Sequence, residues 1–528
     1  MWQKGSITVF YSLILTLILA LISSLLLSAK ISASRAQIAM AMDQTMFSAM
    51  AKYDAKLLEE YHLFFLDGGY GSHMLQSGKI LDELESDISY LLKPSKEKTL
   101  WGAIDFLELS LESSGITGYT LATDQKGSVF REQVAQYMED TMVLRGVSSL
   151  MEMLVKPDSE SSGIVDWIFQ SQAIANQGSV LERLENITEG FSVEDLEQGA
   201  ANPATGNTEG TGSNGVDRNE SSEKISANRG DLALTTEEKA EVENTKEVLK
   251  SVKKLKSTGI LKLVIKSPEK LSDWETQEKL LVSNRNCQSG MGVIETIEKT
   301  DTLKAKYLFQ EYLIQNINHY KNQLHETGPA YGLEYIIGGK ASDIENLETV
   351  VGRLLLMRQV ANTAYLYTDA EKRGSAQAIA ALVTSAVLLP ELAPVVEAAI
   401  LLAWAYVESI VDVRGLLSGK SVPLLKDGAS WQVGFENLLT AISDPDGCVR
   451  SSGNTYYKDY LNLLLITVSE EKQTMRCMDV IELTMRGLSG KEGFSMDCAI
   501  DTLEITMDIE AEGEKAFEIT ERRCYRAM

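Results

Sequence analysis

The sequence predicts an α+β fold: an N-terminal transmembrane helix continuing into an amphipathic stalk, then a sheet-containing region and a mainly helical subdomain. Three patterns carry that prediction. Residues 5–29 hold no charge, a helical periodicity follows them, and period-two alternation near both chain ends frames a long helical stretch.

After a short flank at 1–6, residues 7–29 are mostly Leu, Ile, Val, Phe and Ala. At ~1.5 Å per residue, about 20 residues cross a ~30 Å hydrocarbon core, so this run is long enough to span. A cleaved signal peptide is the competing reading. Its apolar region runs only ~7–15 residues, so the longer run favours retention, while the small residues Ser28, Ala29, Ala33 and Ser34 leave cleavage open. Lys4 on one side and Lys30 with Arg35 on the other give no orientation from charge.

Residues 30–66 read as the stalk, because Ile38, Met42, Met46, Ala49, Tyr53, Leu57 and Tyr61 recur at spacings of three and four. That stripe can pack on the chain's own domain or against other subunits. A turn at 67–71, Asp-Gly-Gly-Tyr-Gly, ends it and opens an α+β region at 67–197. Within that region 103–135 read as strands, Leu107, Leu109 and Leu111 alternating with Glu108, Ser110 and Glu112.

Residues 198–231 lose nearly every large apolar side chain and read as a disordered linker or loop: an inert insertion, a tether or a protease-sensitive site. The stretch 232–490 is mainly helical, with Leu303, Tyr307, Ile314, Ile317, Tyr320 and Leu324 on one helical face. Ser342 and Glu345 form a capping-box pattern ahead of an apolar run. Residues 376–413 are apolar enough to pose a second span. Pro390, Pro394 and three glutamates cut them into pieces too short to cross, which favours buried core helices over a re-entrant hairpin. Residues 491–528 read as a β-hairpin that can pair with the strands of 103–135, since Leu503, Ile505, Met507 and Ile509 alternate with polar residues before a turn at 512–514.

Fifty basic against seventy-five acidic residues give a net charge of −25, which repels phosphate backbones and makes nucleic acid an unsuitable partner. The expected partners are the lipid bilayer, through 7–29, and other proteins. Cys287, Cys448, Cys477, Cys498 and Cys524 form no Cys-x-x-Cys pair, and a disulfide among the last four is left open. Of four histidines, His62 and His73 read as surface residues, and His319 and His325, six apart on a predicted helix, point to different faces. Gly338-Gly339-Lys340 lacks the rest of a phosphate loop and reads as a turn, and Glu59-Glu60 reads as solvation. No catalytic, cofactor-binding or metal-ligating residue is assigned, and no enzyme activity is expected.

Lys4 to Phe10, Tyr53-Asp54 and Leu57 to Asp67 resemble a bacterial family classed only as a domain of unknown function. So do Ala122-Thr123-Asp124 with Gln133 to Met138, Glu334 to Lys340, Asn346 to Met357 and Leu402 to Ser409. The resemblance supplies no mechanism. A glycine before Ser6-Ile7-Thr8-Val9 and a long apolar helix is also similar to the N-terminus of TadE-like and TadG-like minor pseudopilins, which implies an extracytoplasmic domain. Phe10 stands where type IV pilins carry Glu, a departure from the pilin pattern. Together these imply a single-pass envelope protein that serves a tight-adherence-type pilus or envelope assembly without catalysis. The alternative is a stand-alone surface adhesin or scaffold.

Overall fold

The computed structural model describes residues 3–93, 105–145, 235–277, 280–292, 303–386, 390–511 and 514–526. The linker expected at 198–231, the second half of the 67–197 region and the tip of the C-terminal hairpin lie outside the described residues. In chain order the N-terminal part contains α1 (Gln3–Met50), α2 (Ala55–Tyr61), β1 (Leu66–Asp67), α3 (Ser77–Leu92), β2 (Leu109–Leu121) and α4 (Asp124–Arg145). The helical part contains α5 (Thr236–Lys256), α6 (Leu303–Asn316), α7 (Gly332–Gly338), α8 (Asp343–Thr368), α9 (Ala370–Ala386), α10 (Ala393–Leu417), α11 (Tyr457–Ile466) and α12 (Glu470–Arg486). The chain closes with β3 (Ala499–Ala511) and β4 (Glu514–Cys524). The fold is α+β.

Helix α1 is long and apolar enough to cross a membrane: its most apolar window has a mean hydropathy of 2.5 and is not buried inside the fold. The same helix then changes role. Ile38, Met42 and Met46, four apart and essentially unexposed, enter a core with Ile80, Leu84 and Ile88 of α3. Leu503, Ile505, Met507 and Ile509 of β3 complete it, all on one face of the sheet because strand side chains alternate. The part of α1 beyond its apolar run therefore packs on its own sheet.

The sheet is antiparallel and centred on β3. Strand β2 runs along one edge, from Leu109 opposite Ala511 to Leu121 opposite Ile500, with irregularities at three points. Strand β1, opposite Ile500 and Ala499, and strand β4, from Thr502–Cys524 to Ala511–Glu514, share the other edge. Segments near the two ends of the chain are thus one sheet.

Four expectations need correction. The stalk is not one helix to residue 66: α1 stops at Met50, and Asp54 starts α2 by accepting the amides of Lys56 at 3.0 Å and Leu57 at 3.2 Å. Tyr53 bridges Leu66, and Leu57 and Tyr61 enter the larger helical core instead. The strand expected over 103–135 ends at Leu121, where the Asp124 carboxylate accepts the Leu121 amide at 2.7 Å. Beyond it Val129/Phe130, Val134 and Met138, all fully buried, follow a helical period in α4. The face expected from Leu303 to Leu324 breaks at Asn316. There the Asn318 side chain accepts the amides of Leu324 and His325 and donates to the carbonyls of His325 and Pro329, closing a loop in place of another helical turn. Finally, the hairpin strands begin only at Ala499, the residues from Lys491 being loop and a short 3₁₀ turn.

The helical part packs around α10, which contacts α8 and α9. Helices α9 and α10 are core helices, and 72% of the most apolar window of the latter is buried. At the start of α8 the Ser342 hydroxyl accepts the Glu345 amide at 3.2 Å.

Candidate functional site

The elbow where α1 gives way to α2 encloses a cavity of about 520 Å³. One wall is the end of α1, Ala49 and Lys52, and the start of α2. A second is Asp67 of β1 and Tyr70 after it, facing Lys79, Ile80, Glu83 and Leu84 of α3, and Gly490-Lys491 closes a third side. Charges hold these walls together. The Lys491 ammonium donates to Asp54 at 2.7 Å and to Asp67 at 2.9 Å, joining both sides of the elbow to the loop after α12. Burial works against that ammonium, but the hydrogen bonds to Asp54 and Asp67 outweigh it and hold its pKa above the ordinary value. The Asp67 carboxylate also accepts the amides of Gly69 and Gly71, at 3.1 and 2.9 Å. Lys52 donates to Glu83 at 2.9 Å, and this hydrogen bond pulls the Glu83 pKa down against a smaller burial effect. Tyr70 occupies a left-handed conformation at φ 50°, and the Lys79 ammonium lies 3.7 Å above its ring centroid.

A second constellation is sealed inside the helical part. Lys426 lies 2.6 Å from Glu408 and 2.7 Å from Asp412, both on α10, and Arg358 of α8 lies 3.0 Å from the other Asp412 oxygen. All four are essentially unexposed. The amides of Gln432 and Val433 donate to Glu408, and the carbonyls of Pro423 and Leu424 accept from Arg358. Burial, reinforced by Asp412, pushes the Glu408 carboxyl up to about 7 against the pull of Lys426. Asp412 is buried too, but Arg358 and Lys426 together keep it below the ordinary carboxylate range. Solvent does not reach this quartet, and its chemistry is that of a clamp between helices.

Two further polar centres join layers. Arg285 makes a paired contact with Glu482 of α12, at 2.6 and 2.7 Å, and reaches Asp497 at 2.9 Å and Ser495 at 2.8 Å just before β3. Glu334 of α7 is completely buried. One oxygen accepts the Tyr320 amide and the Tyr457 hydroxyl, the other has no donor among the described residues, and burial raises the carboxyl to about 7.

The residues weighed for chemistry in the sequence are scattered. His62 is an exposed left-handed helix cap stacked on Tyr137, and His73 is exposed beside Arg486. His319 and His325 do not lie on a helix, as the spacing had implied, but in the loop organised by Asn318. His319 accepts the Lys321 amide, and burial lowers its pKa to about 4. The His325 ring nitrogen lies 2.6 Å from Glu60, so Glu60 is a hydrogen-bond partner of the loop and not simply a solvated charge. Gly339 ends α7 at φ 68°, and the Asn346 side chain accepts the Lys340 amide, which accounts for the glycine pair as a turn. The five cysteines are free. Among the described residues, no group of three His, Cys, Asp or Glu side chains is arranged to hold a metal ion.

The elbow cavity has no signal in the sequence, because its walls come from residues 49–84 and 490–491. Glu408 stands out in sequence only as an interruption of an apolar run. Asp412, four residues further along the same helix, was the available signal that two carboxylates share one buried face. Residues 237–511 match a family described as "Family of unknown function (DUF5702)". The matched segment opens in the first turn of α5 and closes on the last residue of β3. No curated protein and no solved structure matches the chain.

Proposed function

The chain belongs to the family of unknown function DUF5702, and we propose that it is a membrane-anchored, non-enzymatic component of an envelope assembly of the tight-adherence pilus type, with its folded domain outside the cell. The observation that carries this reading is the continuity of α1. One helix provides an apolar, unburied N-terminal half suited to lipid and a distal part packed on the sheet, so a load on the domain passes to the bilayer without a flexible joint. Such coupling suits a component that positions partners at a membrane. On the outer side of the same helix Met40 and Phe47 remain 60% and 69% exposed, apolar side chains open to lateral protein contact. The likeness of the N-terminus to TadE-like and TadG-like pseudopilins supports the choice of assembly and the outward orientation.

The test is photo-crosslinking in cells from a reactive side chain at Phe47 or Met40. The expected adduct contains a pilus or secretion component, and deletion of the gene then impairs that assembly. Crosslinking that yields no such component, with pili intact and surface attachment lost, contradicts the reading and favours a stand-alone adhesin or scaffold.

A further inference from the structure

We propose that the elbow cavity is a binding site for a small organic anion with an apolar body, a function that goes beyond anchoring and assembly. The cavity, about 520 Å³, falls within the ~300–1,000 Å³ typical of small-molecule sites. Its lining is unusual for this chain. The whole sequence carries a net charge of −25, yet Lys52, Lys56, Lys79 and Lys491 outnumber Asp54, Asp67 and Glu83 around the cavity.

Three of these ammonium groups already have carboxylate partners: Lys52 has Glu83, Lys56 has Glu59, and Lys491 has both aspartates. Lys79 differs. Among the described residues it has no ion pair, and its ammonium instead rests over the face of Tyr70. Tyr70 holds that ring in place from a left-handed backbone conformation that bulky residues seldom adopt. The result is an exposed cation at the cavity that acts on Glu83 through space without a direct ion pair, leaving its ammonium open to a closer anionic partner, and a lysine ammonium is a compact point charge that suits phosphate or carboxylate. Ile80 and Leu84 of α3, on the same wall, supply apolar surface for the remainder of the ligand. Because the walls come from both sides of the break between α1 and α2, an occupant touches the end of the anchor and the body of the domain at once.

Isothermal titration calorimetry on the full chain in a non-ionic detergent tests this with phenyl phosphate as probe. Benzylamine, of similar body and opposite charge, is the control. Phenyl phosphate is expected to bind saturably, and Lys79→Glu is expected to weaken it at least about tenfold, the effect of losing one charge contact. Lys250→Glu, a change at an exposed lysine on α5, leaves binding unchanged. Lys79→Gln, checked for folding by circular dichroism, gives an intermediate loss and covers the case in which charge reversal disturbs the fold. Saturation absent up to about 10 mM phenyl phosphate, equal binding by benzylamine, or undiminished binding by the folded Lys79 variants would each overturn the assignment. The readout uses purified protein, so it stands or falls separately from the partner and orientation of the envelope assembly.

Discussion

Replacing Glu334 by Gln makes the pH dependence of stability follow from one buried carboxyl. The wild-type side chain is completely buried with one oxygen unpartnered, and burial, the largest influence, moves its pKa from 4.5 to about 7 against the hydrogen bonds of Tyr457 and Tyr320. The folded value lies above the unfolded one, so the protonated carboxyl favours the folded state. That contribution is fully present below about pH 4.5 and is lost as the pH rises through 7. At about 1.4 kcal/mol per pH unit, the loss amounts to roughly 3 kcal/mol by about pH 8. Glu408 and Asp479 are raised by burial as well, to about 7 and about 6, and Asp343 is raised too, so the wild-type profile mixes several groups. The difference between the two chains isolates one. Glutamine cannot ionise, and its carbonyl can still accept from Tyr320 and Tyr457. Urea titrations of both proteins from about pH 5 to about pH 8 should show the variant gaining on the wild type by roughly 2.5 kcal/mol, the remainder having been lost already below about pH 5. Curves that stay parallel within about 0.5 kcal/mol would refute the argument from burial.

Lys426→Met removes the ammonium shared by Glu408 and Asp412 and leaves those carboxylates buried beside a single Arg358, so denaturant titration at pH 7 should show a loss of about 3–5 kcal/mol. A loss below about 1 kcal/mol would mean that the quartet is not buried as described. Ile505→Ala, in the middle of β3 and fully buried against α1 and α3, should cost about 2–5 kcal/mol and speed amide exchange over residues 38–50. Unchanged exchange there would argue against docking of α1 on the sheet. Gly339→Ala drives a methyl group into the Arg476 guanidinium at a residue with φ 68°. Thermal unfolding should report about 1–2 kcal/mol from the backbone alone, with an added cost for displacing the guanidinium from the Ile336 carbonyl. An unchanged melting temperature would contradict that packing.

The parts of the fold legible in sequence are those with local causes. A charge-free run and residues four apart are enough to place α1, and the alternation of Leu503, Ile505, Met507 and Ile509 is enough to place β3 with one wet face. The end of α1 was not legible, because α2 repeats the same spacing after the break and only the Asp54 cap and the Tyr53–Leu66 bridge reveal the change of direction. Strand and helix were confused across 121–135 because what ends β2 is a side chain, Asp124, accepting both the Leu121 amide and the amide of distant Gly290. The cavity is harder still. Asp54 and Lys491 meet across 437 positions, and Lys79 matters because its ammonium rests on the Tyr70 ring and not in a direct ion pair, a property that belongs to the assembled structure.

The most direct test of the account is the sidedness of α1. In a cysteine-free version of the chain, Phe47→Cys and, separately, Gln3→Cys would be exposed to a membrane-impermeant maleimide in intact, wall-stripped cells. The account predicts labelling at position 47 without lysis and at position 3 only after lysis. Labelling at position 3 in intact cells, with position 47 protected until lysis, would put the folded domain in the cytoplasm and contradict it.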